Sequence, residues 1–344
     1  MYLSHYRLKT EPFQLTPDPQ FLQLADAHRS ALSVLFQGVL MRKGFLVLTG
    51  PIGTGKTTLL HAVMNILSDQ ALSKAKLSTA FIVNPTLTRD EFLEFILDEF
   101  EVPCASTSKP RRLAALHQML LATQRRGSTA VLVIDEAHLL TMELLEEIRL
   151  LGNTDTYREK LLQVVLSAQP ELHTVLGRKE QQALRQRIAG WCQLRPLSLP
   201  ETRAYIAERL HVAGMQGNSP FLPMTVEKIF GHSHGVPRLI NLLCDQCLLL
   251  GAAAQQAQID PQTVDNAVDA LGLNTEPPAP PEPIPQVPTV ALPQVPAANA
   301  NGNGGHSGSG PSPITGLDGF QSSVDMLIQA MKQRRAKARG QDIQ

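Results

Sequence analysis

The sequence predicts an α/β fold in which a parallel sheet is covered by helices on both faces and is followed by a small all-α domain. Four short apolar runs alternate with helical segments up to about residue 196, which is the pattern of a parallel sheet with crossover helices. After residue 196 no further strand is predicted, and only helical segments follow up to residue 273. The composition changes again after residue 273. We therefore divide the chain into 1–196, 197–273, 274–313 and 314–344.

The predicted elements alternate regularly in the first segment. The strands are 45–49, 77–84, 129–138 and 160–170, and the helices are 27–43, 56–67, 89–100, 111–127 and 142–153. The run FLVLT at 45–49 is continuously apolar and precedes a glycine, as expected of a strand buried on both faces. The second segment contains four helices punctuated by Gly and Pro, at 200–214, 225–235, 236–254 and 260–273.

The C-terminal part of the sequence has two distinct compositions. Segment 274–313 is rich first in proline and then in Gly, Asn and Ser, so we expect a disordered linker. Segment 314–344 regains helical spacing, with apolar residues on one face and basic residues near its end. We expect a C-terminal amphipathic helix there, which would dock on a protein partner. An anionic membrane face, or docking on the protein's own core, is the alternative, as is an unstructured end. The apolar residues are Leu317, Phe320, Val324, Leu327, Ile328 and Met331, and the basic ones are Lys332, Arg334, Arg335, Lys337 and Arg339.

The overall composition argues against several classes of protein. Lys and Arg total 31 and Asp and Glu total 31, so any contact with nucleic acid or acidic lipid requires a local patch. The start of the sequence lacks the apolar stretch of a signal peptide, and no window is apolar enough for a membrane span. We expect a cytoplasmic protein, with peripheral attachment to the inner membrane left open. Cys244 and Cys247 form a CxxC within an apolar helix, which favours two buried side chains over a metal or redox site.

A phosphate-binding loop follows the first strand. The segment from Gly50 to Thr57 matches G-x-x-x-x-G-K-[ST], and it lies between a predicted strand and a predicted helix, as this motif requires. Its backbone N–H groups and the helix N-terminus would surround the phosphates of ATP. Lys56 would reach the β- and γ-phosphates, and Thr57 would bind Mg²⁺. The predicted nucleotide-binding residues in this loop are Gly50, Pro51, Gly53, Thr54, Gly55, Lys56, Thr57 and Thr58.

Two adjacent carboxylates follow the apolar strand VLVI. Asp135 would hold the Mg²⁺ ion together with Thr57, and Glu136 would polarise the attacking water. With the loop some eighty residues upstream, this pair indicates an enzyme that hydrolyses ATP. A regulatory module with negligible turnover is the less favoured alternative.

These motifs together resemble the AAA+ ATPases. The segments GFLVLTGPIGTGKTTLL, VLVIDEAHLL, EEIRLLGN, LLQVVLSAQPEL and LRQRI are similar to those of the ExeA group (general secretion pathway protein A), which includes MshM-like and exosortase-associated ATPases. The resemblance covers about residues 1–272. It implies a P-loop core and a helical lid with ATP between them, and a hexamer-like homo-oligomeric ring. Longer members continue into a membrane-spanning segment and a peptidoglycan-binding domain, where this chain has the linker and short helix.

The resemblance also implies roles for individual residues outside the two motifs. Gln169, with Ser167 as second choice, would sense the γ-phosphate. Arg187, or alternatively Arg185, would reach the nucleotide of a neighbouring subunit. Arg238 in the motif GxPR would contact phosphate from the lid. Leu15 and Pro17 would either wall the adenine or simply pack the N-terminal turn.

Two functions remain open from the sequence alone. The leading one is an ATPase that acts on a protein partner in envelope export, such as secretion, pilus or exopolysaccharide systems. The alternative is a DNA-associated ATPase similar to the TniB-type transposition regulators. In that alternative, basic residues such as Arg111, Arg112, Arg125 and Arg126 would line a ring that binds DNA.

Overall fold

A computed structural model describes residues 2–15, 25–68, 76–155 and 159–273. The predicted linker 274–313, the predicted tail 314–344 and Pro17 lie outside these described residues. The described part consists of an α/β core and a helical lid. No helix in these ranges is long and apolar enough to cross a membrane.

The core contains a five-stranded, fully parallel sheet. Its strands are β1 (Phe45–Thr49), β2 (Lys76–Ile82), β3 (Ser128–Ile134), β4 (Leu162–Ala168) and β5 (Ile188–Gln193), in the spatial order β2-β3-β4-β1-β5. Strand β1 lies between β4 and β5, so its neighbours in the sheet are not its neighbours in sequence. The loop that leaves β1 therefore opens where the order of the strands departs from their order along the chain. Ligands of open α/β sheets bind at this kind of position.

Helices cover both faces of the sheet. The core helices are α2 (Asp26–Leu40), α3 (Lys56–Ser68), α4 (Arg89–Glu99), α5 (Lys109–Arg125), α6 (Met142–Leu151), α7 (Glu171–Leu176) and α8 (Gln182–Arg185), whereas α1 (Tyr2–His5) packs on the lid. Helices α4, α5 and α6 pack on one face through Phe92, Leu120 and Leu145, and α2 and α3 pack on the other through Leu35 and Leu60. The sheet is therefore buried on both sides, as its apolar strands predict.

The four strands and the long helices of the core were predicted within a few residues of their observed bounds, but β5 was not predicted. Its sequence, IAGWCQ, has neither a continuous apolar run nor a regular alternation, and it lies half-buried at the edge of the sheet. A Cβ atom on Gly190 would lie 2.9 Å from a methyl group of Leu46, so close packing against β1 favours glycine here. The pairing with β1 thus stabilises a segment of weak local preference.

The lid consists of the four helices that the sequence predicts. They are α9 (Leu199–Val212), α10 (Pro223–Ser233), α11 (Pro237–Ala253) and α12 (Pro261–Leu271), around their own apolar cluster. Cys244 and Cys247 are free and buried in this cluster, and burial raises the pKa of the Cys247 thiol to about 12. A buried, protonated thiol is unreactive, which agrees with the packing role predicted for the pair.

The N-terminal segment packs on the lid, although the sequence division counted it with 1–196. Tyr2, Tyr6 and Phe13 are buried in the lid cluster. The Tyr2 hydroxyl donates to Asp245 Oδ1 at 2.7 Å, and Arg209 Nε donates to the carbonyl oxygen of Pro12 at 2.5 Å. Residues 2–15 therefore attach to the lid before the chain enters the core.

Candidate nucleotide site

The loop between β1 and α3 has the backbone that phosphate binding requires. Gly53 and Gly55 have φ angles of +78° and +92°, in the region that favours glycine. Lys56 begins α3, so the N-terminus of a thirteen-residue helix adds its partial positive charge to the same point. The loop can thus direct backbone N–H groups and a helix dipole at an anion.

The side chain of Lys56 lies within this loop. Its Nζ donates to the carbonyl oxygens of Gly50 at 2.8 Å and Pro51 at 3.1 Å. Burial lowers the pKa of the Lys56 ammonium, whereas the carboxylates of Glu136 and Asp135 oppose that shift. The cation is therefore held in place by loop carbonyls and faces the two carboxylates across the site.

Asp135 accepts hydrogen bonds from three directions and is only 2% exposed. Thr57 Oγ1 donates to Oδ2 at 2.5 Å, and Ser167 Oγ donates to Oδ1 at 2.7 Å. The backbone N–H of Glu136 donates to Oδ1 at 3.0 Å. The hydroxyl of Thr57 and the carboxylate of Asp135 are hard oxygen ligands at one point, which is the donor set that Mg²⁺ prefers.

Glu136 adopts an unusual backbone conformation at the end of β3. Its φ and ψ angles are 52° and 35°, in the left-handed region that non-glycine residues rarely occupy. Its side chain is 41% exposed, so the carboxylate is open to solvent beside the loop. Strained backbone of this kind is concentrated at functional sites.

His138 links Glu136 to Gln169. One ring nitrogen, Nδ1, lies 3.4 Å from Glu136 Oε2, and the other, Nε2, lies 2.8 Å from the Gln169 side-chain amide. The sequence motifs do not single out this histidine, although it lies two residues after Glu136. It positions the carboxylate predicted to act on water and the amide predicted to sense phosphate.

The two sensor candidates therefore have different surroundings. Ser167, the second choice, is fully buried and holds Asp135, whereas Gln169, the first choice, contacts His138. Both lie at the carboxyl end of β4 beside β1, where the sequence places them. Their roles toward a γ-phosphate stay predictions.

A second residue missed by the sequence analysis is His28 of α2. Its Nε2 lies 2.9 Å from the carbonyl oxygen of Thr54 in the phosphate-binding loop, and because a carbonyl only accepts, Nε2 carries the hydrogen. Burial lowers the pKa of His28, so the ring is neutral at pH 7. No local pattern distinguishes this histidine from others, because the contact joins residues 26 positions apart.

The lid touches the loop directly through the start of α11. The backbone N–H of Arg238 donates to the carbonyl oxygen of Gly53 at 3.2 Å, and a Cβ on Gly53 would lie 2.9 Å from Arg238 Cβ. The Arg238 side chain is exposed. Two helix N-termini, those of α3 and α11, therefore meet at the loop, with an arginine available on the lid side.

The two remaining predicted arginines are the last residue of α8, Arg185, and the residue before β5, Arg187. Arg187 Nη1 donates to the carbonyl oxygen of Arg149 at 3.1 Å and also contacts Asn153, whereas Arg185 is exposed. Leu15 is 54% exposed, and its predicted contact with adenine stays a prediction. Arg112, one of the residues proposed for DNA, is buried and bonded to Glu94, so it stabilises α4 and α5 instead.

Comparison with known proteins agrees with this geometry. Residues 39–176 match the AAA domain family. The chain is 38% identical over 254 residues to general secretion pathway protein A of Aeromonas hydrophila, a match that covers 74% of this chain and 45% of that protein.

Solved structures show the same fold at low sequence identity. The Aeropyrum pernix ORC2 protein superposes with a TM-score of 0.58 at 16% identity, over 76% of this chain and 71% of that one. Drosophila ORC bound to DNA superposes with a TM-score of 0.61 at 18% identity, over 79% and 66%. The parallel sheet, the phosphate-binding loop and these similarities together show that the chain is an AAA+ P-loop protein of the ExeA-like type.

Proposed function

We propose that this chain binds ATP with Mg²⁺ at the loop between β1 and α3 and hydrolyses it. The observation that supports this most strongly is the 2.5 Å contact between Thr57 Oγ1 and Asp135 Oδ2. These two side chains come from different elements 78 residues apart, and they meet where both are needed as Mg²⁺ ligands. A loop that only bound an anion would have no need of the buried carboxylate.

Each residue then has a defined task. Lys56 and the loop N–H groups hold the phosphates, and Arg238 approaches them from the lid. Bound Mg²⁺ would neutralise charge on the phosphate oxygens, and Thr57 and Asp135 would hold it. Glu136 orients the attacking water, and His138 restricts the position of the Glu136 carboxylate.

Nucleotide binding is tested with Lys56→Ala. Titration with a fluorescent ATP analogue should show that the variant loses affinity, because it lacks the main side-chain charge that faces the phosphates. Lys179→Ala is the matched control, since Lys179 is exposed and lies outside the site. If both variants bind the analogue as the unmodified chain does, the assignment of this loop as the nucleotide site is wrong.

We further propose that the chain works as a ring-shaped homo-oligomer in envelope export, in the cytoplasm or at the inner membrane. The 38% identity to general secretion pathway protein A supports this, although the chain spans under half of that protein's length. Segment 314–344 would recruit the protein partner. Deleting everything after Leu273 should leave ATP turnover nearly intact and abolish partner recruitment in pull-downs from the native host. Loss of turnover, or capture of the same partners, would refute the docking role.

The alternative of a DNA-associated ATPase has less support. Of the four arginines proposed for DNA contact, Arg112 is buried and forms an ion pair with Glu94 of α4. Binding to random duplex DNA, measured between low and physiological salt, separates the two functions. Tight binding with a steep salt dependence would favour the DNA-associated function.

A further inference from the structure

The end of the sheet at which the strands begin lies opposite the nucleotide site and is strongly basic. All strands are parallel, so their first residues lie along one edge, about 20 Å from the phosphate-binding loop across strands of five to seven residues. The described residues that lead into β1–β4 or begin them carry six cations and two carboxylates. The cations are Arg42, Lys43, Lys76, Arg125, Arg126 and Lys160, and the carboxylates are Asp155 and Glu159.

The two carboxylates are already engaged. Glu159 lies 2.5 Å from Arg42, and Asp155 lies 2.6 Å from Lys160. The other four cations, namely Lys43, Lys76, Arg125 and Arg126, are exposed. No ion pair within 4.0 Å joins any of these four to a carboxylate of the described residues.

Strand pairing and one side-chain hydrogen bond bring these cations together. Lys76 is aligned with Ser128 across the β2–β3 pair, and Arg125 and Arg126 directly precede β3. Arg42 Nη2 donates to the carbonyl oxygen of Ser128 at 3.0 Å, which places the loop before β1 beside the start of β3. Neighbouring strands are about 4.8 Å apart, so charges on these loops lie within roughly one or two Debye lengths of each other and their fields add.

Two apolar side chains lie next to these cations. Leu40 is 41% exposed and Met41 is 62% exposed, at the end of α2 immediately before Arg42 and Lys43. We call Leu40, Met41, Lys43, Lys76, Arg125 and Arg126 the basic edge. The basic edge combines exposed cations with exposed apolar side chains.

We propose that the basic edge docks this protein on an anionic lipid bilayer surface. Lipid phosphates match the four exposed cations, and the boundary between headgroups and acyl chains accommodates Leu40 and Met41. A nucleic acid backbone matches the cations alone and offers little to the apolar pair. The nucleotide site lies at the other edge of the sheet and stays accessible on the side away from the bilayer.

The test is sedimentation of the full chain with vesicles of phosphatidylcholine containing phosphatidylglycerol. Because Lys332, Arg334, Arg335, Lys337 and Arg339 would bind the same vesicles, all comparisons use a full chain in which these five are glutamine. The double variant Arg125→Gln, Arg126→Gln should lower the partition coefficient roughly 30-fold. Each charge near the surface contributes about 1 kcal/mol, and about 1.4 kcal/mol corresponds to a tenfold change. Arg178→Gln with Lys179→Gln removes the same charge from exposed residues elsewhere and should change it by less than about twofold.

The apolar pair is tested separately with Met41→Gln. This variant should weaken vesicle binding by several-fold while leaving its dependence on salt unchanged, because no charge is altered. Equal binding by the arginine variant and its control, or no binding to anionic vesicles in this background, would overturn the proposal. The proposal would also be overturned if the protein bound random duplex DNA more tightly than vesicles and did so through Arg125 and Arg126.

Discussion

The sharpest prediction concerns Gly235, where the lid approaches the segment that joins it to the core. Its φ angle is +75°, and a Cβ atom there would lie 1.8 Å from the carbonyl oxygen of Leu197. Its own carbonyl accepts a hydrogen bond from the Leu197 N–H at 2.8 Å. Gly235→Ala therefore places an alanine with a left-handed backbone conformation against the backbone of Leu197. The N–H of Leu197 is also hydrogen-bonded to the carbonyl oxygen of residue 235.

The expected cost has two parts. A left-handed conformation costs an alanine about 1–2 kcal/mol. Relieving the contact requires the Leu197 backbone to move by more than an ångström, which breaks its hydrogen bond and costs about 1–3 kcal/mol more if the groups stay buried. We expect Gly235→Ala to lower the free energy of unfolding by about 3 kcal/mol.

Urea denaturation followed by circular dichroism measures this loss, with two glycines as controls. Gly127 has a similar φ of +71° but nothing within 4 Å of an added Cβ, so Gly127→Ala should cost only about 1 kcal/mol. Gly231 is helical with open space around it, so Gly231→Ala should stabilise by about 0.5–1 kcal/mol. If Gly235→Ala costs no more than Gly127→Ala, the proposed steric contact between residue 235 and Leu197 does not exist.

The other predictions concern catalysis and the start of the lid. His138→Ala should lower kcat by roughly tenfold to a hundredfold while leaving the Kd for ATP unchanged, and His138→Gln should recover part of the loss; an unchanged kcat in His138→Ala would contradict the positioning role. Arg187→Ala should bind ATP but hydrolyse it poorly, and mixing it with inactive Lys56→Ala should restore some phosphate release. If mixed oligomers form without any recovery, Arg187 does not act across subunits. The Arg195 side chain, together with Ser198, lowers the pKa of Glu201 to about 2. This depressed pKa adds stability that is present above pH 4.5 and is lost as the pH falls toward 2. Glu201→Gln should therefore cost about 1 kcal/mol at pH 7, since Arg195 is largely exposed, and the difference should shrink on acidification in urea titrations; a pH-independent difference would contradict it.

The parts of this fold that local sequence determines were predictable. Strand β1, the phosphate-binding loop and the start of α3 are contiguous, and each has a strong signal of its own. Asp135 and Glu136 directly follow the apolar strand β3, so both predicted motifs can be located from local pattern alone. The lid helices were equally clear because Pro and Gly mark their ends.

The parts that depend on contacts between distant residues were not predictable. His28 meets Thr54 across 26 residues, and Tyr2 meets Asp245 across 243 residues. Nothing in the local pattern around either residue indicates such a partner. Strand β5 was missed for the same reason, because its pairing with β1 outweighs its weak local preference.

The central claim is that Glu136 orients water for hydrolysis of ATP held by the loop. The most direct measurement is Mg²⁺-dependent phosphate release by the unmodified chain and by Glu136→Gln, with the Kd for ATP determined on the same preparations. We predict that Glu136→Gln lowers turnover by about 100-fold or more while its Kd stays within about threefold, because only the group that orients water is changed. Equal turnover in the two proteins would contradict this account of the site.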